Sequence, residues 1–148
     1  GAKVIECDCR FGEPETQVVL PLLETDIMDI IEAIWEEKLD ELDIKWADKA
    51  CACVVMASGG YPEKYETGKE ISGLDETGQC DGAFVYHAGT KLEDGKFLTA
   101  GGRVLGVTAY GDTLKEALDT AYKAVDSITF EKAHFRHDIG KKALSADK

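Results

Sequence analysis

No stretch of this chain holds the ~20 consecutive apolar residues that a membrane-crossing helix needs. A helical membrane span is excluded. Basic residues are scarce, with 17 Lys and Arg against 29 Asp and Glu and a formal charge of −12. Nucleic-acid binders use Lys and Arg to neutralise phosphates, so DNA and RNA are excluded as main partners. Much of the negative charge falls in ETDIMDIIEAIWEEKLDELD, where it reads as a solvated helix face, so net charge says little about a local anion site. The cysteines number 5, an odd count, and no charged and apolar leader precedes them. That argues against a secreted disulfide framework and for a reducing cytoplasm. No P-loop, dinucleotide fingerprint, H-E-x-x-H or G-x-S-x-G occurs, and neither an internal repeat nor a low-complexity segment is present.

What is there amounts to one domain by size. The 148 residues, 44% apolar, suffice to bury a core. The opening GAKVIE has no methionine and reads as the start of a core strand, so the chain is expected to be a fragment. Residues 2–9 read as a strand, and RFGEPET as a turn-rich loop broken by Gly12 and Pro14. A helix begins near Thr16 and is interrupted or kinked at Pro21. Ile27, Ile30, Ile31 and Ile34 recur at helical spacing and predict an amphipathic helix over roughly 26–38.

Beyond an acidic, polar stretch the pattern changes to ACACVVMAS, a run of small and β-branched residues that reads as a buried strand. The domain boundary is placed near 44–48. AFVYHAG, the hairpin-like KLEDGKFLTA and GGRVLGVTAYG then predict mainly antiparallel β structure. Thr113 and Glu116 have capping-box spacing, and Leu114, Ala117, Leu118, Ala121, Val125 and Ile128 form the apolar stripe of a packing helix. A partly ordered tail with Phe135, Ile139 and Leu144 closes the chain.

Strand alternation puts Val4, Glu6, Asp8 and Arg10 on one face of the first predicted strand, and Ile5, Cys7, Cys9 and Phe11 on the other. The second set is expected to face a core. Two carboxylates pointing one way suit a hard cation such as Mg²⁺, and the adjacent Arg10 suits a phosphate or carboxylate. The alternative is a charged face that only meets solvent. The C-x-C pairs Cys7/Cys9 and Cys51/Cys53 invite a zinc-thiolate reading, but their spacing and apolar neighbours favour small buried hydrophobes. Lys91 after HAGT and Arg103 after AGG follow flexible glycines, where backbone and cation can both approach an anion. Taken alone, each is more often an ordinary turn or a solvated strand end.

Taken in order, VIECDCRFGEPETQVVLPLL, VVMASGGYPEKYETGKEISGLDE, FVYHAGTK, GGRVLGVTAYGDTLKEALDTAYKAV and FRHDIGKKAL resemble the C-terminal part of the phosphoribosylamine–glycine ligase family of ATP-grasp enzymes, along essentially the whole chain. The resemblance implies an α+β fold: the terminal strand and helices of an ATP-grasp domain over 1–45, then a small antiparallel β-rich C-terminal domain with one packed helix over 48–148. It also implies ligation of glycine to 5-phosphoribosylamine through a glycyl phosphate, with ATP as co-substrate, in purine biosynthesis. The family's Glu-x-Asn metal motif falls on Glu6 and Asp8, implying Mg²⁺ or Mn²⁺ with Asp in place of Asn. By the same resemblance Arg10 contacts substrate or phosphate, Glu13 replaces the family's Asp, and Lys91 and Arg103 bind phosphoribosylamine. Ala100 stands where the family often has Asn. The chain matches about the last third of the family's length and is expected to be inactive alone, with self-association through surfaces left open. A non-catalytic docking subunit of a split ligase is the alternative.

Overall fold

The computed structural model describes residues 3–5, 7 and 9–146. Its centre is a three-stranded antiparallel sheet in the order β1-β5-β2, from β1 (Ala50–Ala57), β2 (Phe84–His87) and β5 (Arg103–Gly111). The register sets Val54 opposite Val107 and Met56 opposite Leu105 on β5, while Val85 of β2 meets Val107 from the other side. Directly opposed residues share a face, so Ala52, Val54, Met56, Leu105, Val107 and Ala109 form one apolar surface.

That surface is covered by α3 (Leu114–Ser127), whose Ala117, Leu118, Ala121, Ala124 and Val125 are all buried. Small alanines along the stripe let the helix approach the sheet closely. Fully buried side chains such as Val54, Met56, Leu105 and Val107 each contribute about 1.5–3 kcal/mol by removal from water. The helix starts where the sequence indicates: Thr113 Oγ1 accepts from the Glu116 N–H at 3.2 Å, and Glu116 Oε2 accepts from the Thr113 N–H at 3.2 Å. The capping box is complete.

A separate hairpin joins β3 (Thr90–Glu93) to β4 (Lys96–Thr99). Its tip, Asp94-Gly95, has φ of 50° and 74°, the left-handed pair that a two-residue hairpin turn requires and that Asp-Gly supplies at low cost. His87 ties this region together. Its Nε2 donates to the Gly78 carbonyl at 2.8 Å, which leaves Nδ1 to accept from the Thr90 hydroxyl at 2.8 Å. Both ring nitrogens are thereby used.

The first third of the chain departs from expectation. Residues 3–5 and 7 form no strand, and residues 9 and 10 are a bend. Val4 and Ile5 are 90% and 95% exposed, Phe11 is 59% exposed, and Cys7 and Cys9 are exposed too. The expected core-facing set faces no core in the described chain. A strand's alternating pattern needs a partner strand, and none of the described residues pairs here. Glu6 and Asp8 lie outside the described residues.

The helices expected next do form, as α1 (Thr16–Val19), a 3₁₀ turn at Leu20–Leu22 containing Pro21, and α2 (Ile27–Trp35). The α1 segment rests on the sheet face opposite α3, where Gln17 approaches Gly106 and Cys53. Backbone bonds from Glu24 N to Lys45 O and from Ala47 N to Leu22 O close the intervening loop. Helix α2 itself is uncovered: Ile31, Ile34 and Trp35 are 49%, 56% and 88% exposed. The tail crosses back to the sheet, with Ala57 and His134 exchanging backbone hydrogen bonds, and ends in α4 (Lys141–Ala146). Among the described residues no helix is long and apolar enough to cross a membrane.

Candidate functional site

The face of β1 turned away from α3 carries Cys51, Cys53 and Val55, and the tail folds beside it. Between them lies a cavity of about 290 Å³. Cys53, Val55 and Ala57 of β1 line it together with Phe135 and Ile139, which makes its interior largely apolar. Pro14 closes one side, and Tyr61 and Arg103 stand on another.

Arg103 is placed by backbone packing rather than by a side-chain clamp. It opens β5 opposite Ala57, just after the irregularity between Met56 and Ala57. The AGG turn before it is pinned to the next loop: Ser58 donates from its N–H to the Gly102 carbonyl and from Oγ to the Gly101 carbonyl, each at 2.8 Å. A Cβ on Gly102 would fall inside the contact surface of the Tyr61 ring, so glycine is required for the ring to lie against that peptide. The HAGTK turn meets the same place, with Gly89 and Gly101 packed backbone to backbone. Two glycine turns distant in sequence thus become neighbours.

The electrostatics at Arg103 are mixed. Its Nε lies 3.6 Å from Glu13 Oε1, and its Nη1 donates to the Glu13 carbonyl at 3.5 Å. Both side chains are about 40% exposed, so this pair adds little stability, about 0–1 kcal/mol. Glu13 also acts on the cavity wall. The Cys53 thiol is pushed up chiefly by burial and further by the Glu13 carboxylate, while the Thr108 hydroxyl works the other way. Cys51, next along the strand face, is pushed up to about 11 by burial and by Cys53.

Arg136 also borders the cavity, but its guanidinium is engaged by Asp138 through Nε at 2.8 Å and Nη2 at 2.9 Å. This bidentate bond raises the arginine and lowers the Asp138 carboxyl. Tyr122 of α3 donates to the Arg136 carbonyl at 2.7 Å and accepts from the Ile139 N–H at 3.2 Å. Here the tail is strapped to the helix.

Of the sequence-flagged cations Arg10, Lys91 and Arg103, the structure puts Arg103 on this cavity, which Cys53 of the second C-x-C pair also lines. Lys91 lies exposed on β3, with Nζ 2.6 Å from Glu93 Oε2. Arg10 is exposed and bonds the neighbouring Phe11 carbonyl at 3.0 Å. Among the described residues no group of three His, Cys, Asp or Glu side chains is arranged for a metal ion. Tyr61, Phe135 and Arg136 join the site without being candidates from the sequence. The signal for Tyr61 is GGYP, an aromatic directly after two glycines; Phe135 and Arg136 open the family segment FRHDIGKKAL, but their place beside β1 follows only from the tertiary fold.

An antiparallel α+β domain with an arginine set beside an apolar cavity by paired glycine turns is the class this chain represents. The chain belongs to the family described as "Phosphoribosylglycinamide synthetase, C domain", which matches residues 51–142. It is 52% identical over 139 residues to the phosphoribosylamine–glycine ligase of Caldanaerobacter subterraneus subsp. tengcongensis, covering 94% of this chain and 33% of that protein. Identity to the Synechocystis ligase of the same name is 50% over 143 residues, covering 96% and 34%. The crystal structure of the Thermotoga maritima phosphoribosylamine–glycine ligase superposes with a TM-score of 0.68 at 32% identity, over 87% of this chain and 31% of that one. The chain therefore spans about a third of the length of these relatives.

Proposed function

We propose that this chain is the C-terminal portion of a phosphoribosylamine–glycine ligase and supplies one wall of its active site. The whole enzyme would join glycine to 5-phosphoribosylamine in purine biosynthesis, in the cytoplasm. The glycine carboxylate attacks the γ-phosphorus of ATP and ADP leaves. The amine then attacks the glycyl phosphate carbon, expelling phosphate and losing a proton. The observation that carries this reading is the family match over residues 51–142, which spans the Arg103 turn and the tail beside the cavity.

In this reading Arg103 holds the phosphate of phosphoribosylamine, with Lys91 as a second cation on the adjoining glycine turn. Arg10 contacts the transferring phosphoryl group or substrate, as a guanidinium suited to paired oxygens. Glu6 and Asp8 are hard oxygen donors, which fits Mg²⁺ or Mn²⁺ in chemistry. When bound, such an ion supplies charge neutralisation along the ATP phosphates. Residues 1–45 form the end of the ATP-grasp domain and residues 48–148 the ligase C-terminal domain.

The exposed Ile31, Ile34 and Trp35 of α2 supply the apolar face on which the remaining part of the ligase sits, and through which the isolated chain self-associates. Purified alone and given ATP, glycine and phosphoribosylamine, the 148 residues should release no ADP. The same chain extended by the in-frame coding sequence upstream of Gly1 should do so in a glycine-dependent way. Turnover by the 148 residues alone, or a start codon immediately upstream, would overturn the reading.

A further inference from the structure

The contact between Glu13 and Arg103 joins the two portions of the chain at the mouth of the cavity, across 90 positions of sequence. A guanidinium meant for a ligand anion is here faced by a carboxylate of its own chain. Nε to Oε1 is 3.6 Å, outside ordinary hydrogen-bond range, and both side chains are well exposed. The pair is therefore weak and screened by water. A phosphate monoester, with more charge and more acceptor oxygens, competes for the same donors.

The turn bearing Glu13 runs straight into α1, where the Gln17 N–H bonds the Pro14 carbonyl at 3.2 Å. Thr16 bonds the Gly12 carbonyl through both its N–H, at 3.0 Å, and its hydroxyl, closing a turn in front of that helix. Glu13 and Pro14 form the tip of the turn. Pro14 lines the cavity, and the Glu13 charge is felt at Cys53 on its wall. Arg10 precedes the turn by two residues.

We propose that Glu13 is the internal counter-ion of Arg103, which the anionic group of the ligand displaces, so that the Glu13 carboxylate competes with the ligand for the anion site. This rests on Arg103 being the anion-binding residue of the proposed function. Glu13 would then partly offset the Arg103 charge before the ligand arrives, and so set how tightly the anion binds.

The test uses the 148-residue chain, isotopically labelled, titrated with ribose 5-phosphate and followed by the resonances of Arg103. The wild type should bind, at millimolar affinity or better, with the Arg103 resonances shifting. Glu13→Gln should bind roughly two- to fivefold tighter at low salt, the factor equivalent to an exposed ion pair, and the gain should shrink as salt is raised. Glu15→Gln, which removes a charge from the same loop without touching Arg103, should leave affinity unchanged. Arg103→Ala should abolish binding and Arg103→Lys should restore part of it. If Glu13→Gln binds no tighter, or Glu15→Gln tightens it equally, the counter-ion proposal fails while the assignment of Arg103 stands. If the wild type does not bind, or Arg103→Ala binds as well as wild type, both fail.

Discussion

The Tyr61 ring lies directly against Gly102, in the space that any larger residue's Cβ would occupy, and so buttresses the peptide preceding Arg103. Gly102→Ala is expected to push the ring away and shift Arg103. Overpacking of this kind costs about 1–3 kcal/mol. Thermal denaturation should show the loss, and ribose 5-phosphate affinity should fall with it. Tyr61→Phe keeps the ring and should change neither; a large loss in that variant would mean the hydroxyl, not the ring, holds the turn.

Thiol reactivity should separate the cysteines sharply. With its pKa pushed up to about 11, Cys51 has only about one thiolate per thousand thiols at pH 8. The exposed Cys7 and Cys9 should therefore alkylate first, as read by peptide mass spectrometry. Cys51 labelling should rise about tenfold per pH unit until near 11. The folded state holds this proton more tightly than the unfolded chain, whose ordinary value is 9.0, so the contribution is intact below 9 and is lost as pH climbs from 9 to about 11. Alkylation of Cys51 at the rate of Cys7 at pH 8 would contradict this.

Removing the α3 cap by Thr113→Ala should cost about 1 kcal/mol and lower the melting temperature by a few degrees. Leu105→Ala, which opens a hole in the fully buried centre, should cost about 2–5 kcal/mol. Chemical denaturation that ranked these two in the opposite order would place the core elsewhere.

The uncovered face of α2 gives the reverse expectation. Ile31→Glu and Trp35→Glu should leave stability within about 0.5 kcal/mol, because neither side chain is buried. They should instead reduce concentration-dependent association in analytical ultracentrifugation. A wild-type chain that sediments as a monomer at every concentration would remove the self-association reading.

The second portion of the chain is legible in the sequence because its signals are local or strictly periodic. Thr113 and Glu116 mark a helix start through bonds within one turn, Asp94-Gly95 marks a hairpin through two dihedral angles, and the run of small and β-branched residues at Ala50–Ala57 marks a strand buried on one face. Residues 2–9 misled for the opposite reason. Alternation describes what a strand would do if it had a neighbour, and no described residue pairs with it. The isoleucines of α2 likewise specified a helix but not a cover. At the site, Arg103 was flagged by the glycines before it, whereas Phe135, Arg136 and the reach of Glu13 depend on contacts between distant segments that no local pattern encodes.

Steady-state kinetics of the intact ligase containing this chain, comparing wild type with Arg103→Ala, tests most directly whether this cavity edge holds the substrate phosphate. A charge-assisted hydrogen bond is worth about 1.5–3 kcal/mol. The KM for phosphoribosylamine should therefore rise roughly 10- to 100-fold, with the KM for ATP and glycine little changed. An unchanged KM for phosphoribosylamine in a correctly folded Arg103→Ala enzyme would contradict the assignment.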